Sequence, residues 1–478
     1  MNVFKSLEKN KNYLMQTFNS EDVRFSSVLV GNKKGVLVFI ADLIDVNLLG
    51  EQVIKPLKTL QKVSEQDVLN EVYSPEKLSA KNLKDVILEI TQGCAALFID
   101  GLNVCFLFGL RKFERRSIAE PPTSTVIKGP REGFVESLPV NVSLMRRRIK
   151  SHKLRFEFIN VGKFSNTPVA ICYINGIADK NLVKKLKKKL SEIKIDAILD
   201  SSYLSKFLGE HKTSLFKQVG NTEKPDILAA KILEGRVAIF VDGSPIALTV
   251  PYLLIEDFQS PSDYYSSSYS ATFARTLRLI SVVISIFLPA YFVAAELFHL
   301  QLIPLSFLLT IVNSIKGIPL SPSSEMLFTL LIFEILNEAA VRMPKYVGMV
   351  VSIVGGLVLG ETAVNAGIIS APVLMIVAFS GICLYTVPEL EQTSSVIRLI
   401  FLTVAGALGG YGLILSGVVL IIYLVSFENY GSPVFAPFSP LITKDLKDSV
   451  YKGFLIEQKY RPLSIKNANH KRLRGDDD

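Results

Sequence analysis

The chain has 478 residues, with 53 Lys and Arg against 44 Asp and Glu, a net charge of +9 and a mean hydropathy of +0.35. That length suits two or three domains, and the basic surplus comes without a helix-turn-helix, RNP or zinc-finger pattern, so nucleic acid is not an expected partner. Cys94, Cys105, Cys172 and Cys383 form no CxxC pair, and the four histidines are scattered, which argues against a disulfide framework, a metal site and a histidine-based active site.

The first residues, MNVFKSLEKNKNYL, carry no apolar core of a signal peptide, so membrane insertion is expected to fall to later segments. Residues 1–272 read as water-soluble. Within them GVLVFIADLIDVNLL, from Gly35, can be laid over PVAICYINGIADKNLV, from Pro168. Further on, AALFIDGLNVCFLF, from Ala95, echoes VAIFVDGSPIALTV, from Val237. Both members of this second pair are strand, Asp-Gly, strand, which predicts hairpins closed by type I′ turns at Asp100-Gly101 and Asp242-Gly243. The two carboxylates serve their turns more simply than they would hold a metal or a phosphate. The expected fold is therefore α/β, in two related subdomains at 1–118 and 135–272.

Between them, residues 119–134 read as a connector punctuated by Pro121-Pro122 and Gly129-Pro130 and continuing through Arg131, Glu132, Gly133 and Phe134. Arg146, Arg147 and Arg148 most simply meet acidic partners on a neighbouring domain or subunit. The run KNLVKKLKKKL, 180–190, keeps Leu182, Val183, Leu186 and Leu190 at helical spacing. Its lysines are either a solvated face or a face toward anionic lipid. There is no Ser-His-Asp set, HExxH or dinucleotide-binding glycine fingerprint, so neither an enzyme nor a cofactor is expected.

Residues 273–428 are expected to be a helical transmembrane domain of about four to six segments. Leu279–Leu297, Val347–Ile369, Ala371–Val387 and Leu399–Phe427 are long enough to cross, while Leu302–Val312 and Met326–Val341 are short and read as re-entrant or interfacial. An even number of crossings puts both termini on one side. The basic tail, 429–478, places that side in the cytoplasm. SIVGGLVLGETAVNAG, from Ser352, has a small-residue face for helix packing and also carries Glu361, Thr362 and Asn365 beside Gly360. A lone carboxylate facing lipid there would cost about 2.5–3.5 kcal/mol, so Glu361 should face protein or water. Repeated around a symmetric oligomer it would make a ring that attracts cations.

Several stretches together resemble the A subunits of the spore germinant receptors, the GerA family of endospore-forming bacteria. They are GPREGFVESL followed by RRRI, FEILNEAAVRMP, SIVGGLVLGETAVNAG, and the later SPVFAPFSP, DLKD and YRPLS. The resemblance covers nearly the whole chain in order. It implies a two-part cytosolic domain and a membrane domain in the inner spore membrane, with a multi-span B subunit that senses nutrient and a lipoprotein C subunit as partners. It also implies a homo-oligomeric ring, a pentamer, around a gated cation path. The alternative is a non-conducting scaffold that docks receptor or dipicolinic-acid-release partners. Where the family often has a neutral polar residue after VxG, this chain has Glu361.

In FEILNEAAVRMP, Glu334, Glu338 and Arg342 form one helical stripe beside Asn337. Three charges facing lipid would cost roughly 8 kcal/mol. The stripe is therefore expected at the membrane surface, at a seam between subunits, or around a pore vestibule.

Overall fold

A computed structural model describes residues 1–60, 63–74, 76–111, 129–344, 356, 360–454 and 457–472. It divides into two compact units. One comprises residues 1–253 with 428–432 and the tail from 455, the other 254–427 with 433–454.

The first unit holds two five-stranded antiparallel sheets. β1 (Val23–Val30), β2 (Lys33–Ile40), β3 (Glu76–Ala80), β4 (Cys94–Ile99) and β5 (Cys105–Gly109) lie in the order 1-2-4-5-3. β6 (Leu154–Val161), β7 (Thr167–Ile174), β8 (Gly220–Thr222), β9 (Val237–Val241) and β10 (Ala247–Val250) lie in the order 6-7-9-10-8. Strand for strand the second sheet repeats the first, as the paired sequence stretches implied. β4, β5, β9 and β10 are buried along their whole length. They are covered on both faces, which is why they read as continuous apolar runs. One face of the first sheet packs under α1 (Leu7–Phe18) and α2 (Leu83–Thr91) through Leu14, Phe18, Val86 and Ile90. In the second, α3 (Leu138–Arg148) and α6 (Pro225–Leu233) cover one face, while α4 (Lys180–Glu192) and α5 (Ser201–Leu208) cover the other.

The hairpins form, but not through two-residue type I′ turns. The last paired residues are Phe98 with Cys105 and Ile239 with Leu248, and only the glycines, Gly101 (φ +84°) and Gly243 (φ +85°), take the positive φ that type I′ requires of both turn residues. The aspartates instead reach out of their loops. Asp100 accepts the Leu7 amide at the start of α1, and Asp242 accepts the Leu138 amide at the start of α3. They hold helix N-termini, where a carboxylate is favoured by the exposed N–H groups.

In the second unit the chain forms α7 (Ser268–Phe298, with Pro289 inside), α8 (Leu305–Ser314), α9 (Pro322–Arg342), α10 (Gly360–Asn365), α11 (Ala371–Leu384) and α12 (Glu391–Ser426). Among the described residues two helical stretches, Ser268–Phe298 and Pro388–Ser426, are long and apolar enough to cross a membrane, while α8 and α11 are shorter apolar helices. Met326–Val341, expected to be a short piece, lies inside a 21-residue helix. Of the expected span Val347–Ile369, residues 347–355 and 357–359 lie outside the described residues. α12 is broken at Gly409, whose φ of +62° and ψ of −147° are not helical. The break falls inside the cluster Gly406, Gly409, Gly410 and Gly412. A side chain at 409 would collide with Phe298, whose ring carbon stands 2.7 Å from the Cβ position.

Candidate functional site

The polar stripe of α9 divides its work. Glu334 receives the guanidinium of Arg398, a residue of α12 that is 1% exposed and also donates to the Ser380 hydroxyl of α11 at 2.9 Å. Asn337, nearly a turn further on, donates to Glu391 at 2.6 Å and accepts from the Tyr385 hydroxyl at 2.8 Å. One polar layer therefore ties α9, α11 and α12 together. Glu338 and Arg342 pair with each other along the helix and are exposed. The carboxylate that pairs across helices is thus Glu334, and the outward charges are Glu338 and Arg342.

The residues around the small-residue run lie on α10. Glu361, Thr362 and Asn365 are exposed, whereas Gly360 is closed in by Leu374, 3.3 Å from its Cβ position, and Ala363 packs against the apolar core of the unit. The structure does not bring Glu361 together with the Glu334 layer in any recorded contact among the described residues.

At the start of α7 lies a second polar knot, which sequence reading missed. Arg275, fully buried, donates to Asp263 at 3.1 Å and to the carboxylate and carbonyl of Asp448 at 3.1 and 2.8 Å. Arg278 grips the two oxygens of Asp263 at 2.8 and 2.9 Å, and Lys452 donates to the Asp263 carbonyl at 2.6 Å. Burial pulls the Asp263 pKa upward, but the Arg278 hydrogen bonds and charge, helped by Arg275, outweigh it and hold the carboxyl below its usual range. Asp448 closes the DLKD motif, so that motif anchors the root of a long apolar helix.

The first unit contains a buried inter-subdomain clamp. Arg146 of α3 donates to both oxygens of Asp22 at 2.7 and 2.8 Å and to the Ser20 hydroxyl at 3.2 Å, so it finds its acidic partner in the other subdomain. Arg147 and Arg148 both reach Glu132, at 3.2 and 2.6 Å, which pins the end of the connector. Of the other connector residues, Gly129 adopts φ +125°, and Phe134 is buried with its ring edge-on to Phe240. Residues 112–128 lie outside those described. Near the clamp, burial and the charge of Asp22 push Asp42 up to about 6 against the opposing pull of Arg24 and Arg146.

The lysine-rich helix α4 has a specific occupant. Leu182, Val183, Leu186 and Leu190 are buried as expected, but Lys185 and Lys189 stand over the ring of Tyr430, 5.0 and 4.9 Å from its centre. The Tyr430 hydroxyl donates to the Leu208 carbonyl at 2.6 Å, and its amide donates to Glu210 at 2.7 Å. The tail also returns to this subdomain. Arg461 of YRPLS donates to the Leu233 carbonyl at 2.8 Å, and Ala468 donates to Ile177 at 2.8 Å.

Most of the stretches that carry the resemblance therefore hold internal polar clamps. Comparison with known proteins agrees with it. Residues 9–464 match the profile of the Bacillus/Clostridium GerA spore germination protein. The chain is 36% identical to spore germination protein KA of Bacillus subtilis over 94% of this chain and 84% of that protein. It is 35% identical to spore germination protein GerQA of Bacillus cereus over 97% and 93% of the two chains. It is also 34% identical to the uncharacterized membrane protein YfkQ of Bacillus subtilis over 97% and 91%. Among solved structures, the N-terminal domain of the A subunit of the Bacillus megaterium spore germinant receptor GerK3 aligns with 53% of this chain and 98% of its own, at 25% identity and a TM-score of 0.41. This membrane protein belongs to the GerA family of spore germination proteins, the non-enzymatic A subunits of germinant receptors.

Proposed function

We propose that this A subunit works in the inner spore membrane as one member of a homo-oligomeric ring around a gated cation path, together with a multi-span B subunit that senses nutrient and a lipoprotein C subunit. The observation that carries the reading is the exposure of Glu361, Thr362 and Asn365 on a short helix of the apolar unit. A carboxylate left facing lipid there would cost about 2.5–3.5 kcal/mol. Facing a water-filled path shared with neighbouring copies removes that cost and draws cations in. The exposed Glu338–Arg342 pair on α9 offers charges of both signs to a neighbouring copy. That both termini lie on one side is supported by the tail, since residues 428–432 and 457–472 belong to the same compact unit as residues 1–253, and the basic charge of the tail favours the cytoplasmic side.

The test is ion permeability of the reconstituted receptor complex with and without nutrient. Glu361→Gln is expected to change the permeability ratio among cations, and Glu361→Ala to impair packing as well. Identical ratios in wild type and Glu361→Gln would remove this residue from the filter. Absence of nutrient-triggered potassium efflux from an intact complex would favour a non-conducting scaffold.

A further inference from the structure

Glu296, in the last turn of α7, is 8% exposed, and both of its carboxylate oxygens are shut off from solvent without a hydrogen-bond partner. Phe292 and Val293, one turn before it, pack in the same core cluster as Met326 and Ile369, the chain neighbours of Glu325 and Ser370. Glu325, in the first turn of α9 and itself 1% exposed, is the charged group that acts on Glu296. Glu325 is held in place by the Ser370 amide, which donates to it at 2.6 Å. The Ser370 hydroxyl beside that amide is buried and unpartnered, and so is the hydroxyl oxygen of Ser323, two residues before Glu325 and turned to another face of α9. Ser323 in turn stands 2.7 Å from the Cβ position of Gly406, so only a glycine of α12 lets the two helices meet there. Three residues on, α12 breaks at Gly409 against Phe298, and Gly410 lies beside the His299 ring, whose Nε2 is 2.9 Å from its Cβ position.

Buried polar atoms are almost always satisfied, and a buried carboxylate beside a second one is doubly disfavoured unless something positive joins it. Here three oxygen-bearing side chains converge on one region of the apolar unit, and three of their oxygens lack a partner. Broken membrane helices add freed backbone carbonyls to sites of this kind. From this convergence we infer that Glu296, Glu325 and Ser370 form a binding site for an alkali cation inside the membrane unit, separate from Glu361. The donor set is all oxygen, as a hard cation needs. Among the described residues no group of three carboxylate, histidine or cysteine side chains is assembled. That falls short of the charge and ligand count on which a dehydrated divalent ion relies. The site does not depend on conduction, because a bound ion would stabilise the helix ends whether or not ions pass elsewhere.

The experiment is thermal unfolding of the purified full chain in detergent, titrated with NaCl, KCl or CaCl2 against choline chloride at matched ionic strength. A sodium or potassium site produces a saturating rise in the unfolding midpoint of about 2–6 °C that choline does not reproduce. Glu296→Gln, nearly isosteric, abolishes that rise, and Ser370→Ala reduces it. Ser370→Ala also keeps the test open if Glu296→Gln does not fold. Equal midpoints in alkali and choline salts overturn the site, as does a rise that persists in Glu296→Gln. A response to calcium alone overturns the alkali assignment. A midpoint that follows pH but no metal cation overturns it too, since a shared proton would then neutralise the pair.

Discussion

Arg146 and Asp22 meet across the two subdomains of the first unit through two hydrogen bonds of 2.7 and 2.8 Å, with the side chains 1% and 0% exposed. The Arg146 guanidinium also lies 5.2 Å from the centre of the Phe156 ring. The pair is desolvated on every side, so its members are interdependent.

Removing one partner should cost far more than removing both. Arg146→Met alone is expected to destabilise the first unit by about 3–5 kcal/mol, because Asp22 is left buried and uncompensated. The double variant Asp22→Leu, Arg146→Met should recover much of that loss. Urea unfolding of the four members of the double-mutant cycle measures the coupling, and additive losses would refute the interdependence.

Asp42 predicts a pH dependence of known sign. Its pKa is raised to about 6 in the folded chain from the ordinary 3.8. The folded state therefore holds the proton more tightly than the unfolded state does. The stability this contributes is full below pH 4 and is lost as pH rises through about 6. Asp42→Asn should accordingly be more stable than wild type at pH 7, by on the order of 1–3 kcal/mol before solvent screening is allowed for, with the difference closing below pH 4. Unfolding midpoints of the two proteins across pH 4–7 check this, and parallel curves would exclude it.

Glu334 and Glu338 sit one turn apart, yet their substitutions should differ sharply. Glu334→Gln leaves the buried Arg398 without its counter-charge, at a cost of about 3 kcal/mol. Glu338→Gln breaks only an exposed pair, worth about 0.5 kcal/mol or less. Thermal unfolding in detergent separates them, and equal midpoints would contradict the Arg398 assignment.

Tyr430 should be graded by what is removed. Tyr430→Phe loses the hydroxyl bond to Leu208, about 1 kcal/mol, while Tyr430→Ala also opens a cavity under Lys185 and Lys189 and should cost about 3–5 kcal/mol. Hydrogen exchange at the C-terminal end of α5, Leu204–Leu208, should quicken in the same order. No change in either variant would mean that the contact is not formed in solution.

Much of the fold was legible because it repeats. The apolar strands and Asp-Gly loops marked both sheets, and helical spacing in KNLVKKLKKKL gave the buried leucines of α4 correctly. A further repeat signal was present and missed. FKSLEKN, from Phe4, and VESLPVN, from Val135, share Ser-Leu-x-x-Asn, and the two asparagines make the same hydrogen bonds. Asn10 accepts the Phe4 amide at 2.9 Å and donates to the Phe4 carbonyl at 2.6 Å, and Asn141 does the same with Val135 at 2.9 and 2.6 Å. The repeats thus begin with a helix, ahead of the strands that first revealed them. The partners of Glu334, Arg275 and Tyr430 could not be read the same way. Each lies at least 60 residues away in sequence, at Arg398, Asp448 and Leu208. Periodicity reports which face of an element is polar, but not which distant charge meets it.

The return of the tail has a consequence for biosynthesis. The second sheet is complete once the ribosome has made Val250, but Tyr430, Arg461 and Ala468 emerge only after the α-helices α7 to α12 of the apolar unit. The carbonyls of Leu233 and Ile177 therefore wait for their tail partners until the chain is nearly finished, while that of Leu208 has only Lys189 until Tyr430 arrives. A prematurely terminated product would keep a folded sheet while leaving those edges open, which distinguishes it from a finished chain at the surface of its own soluble unit.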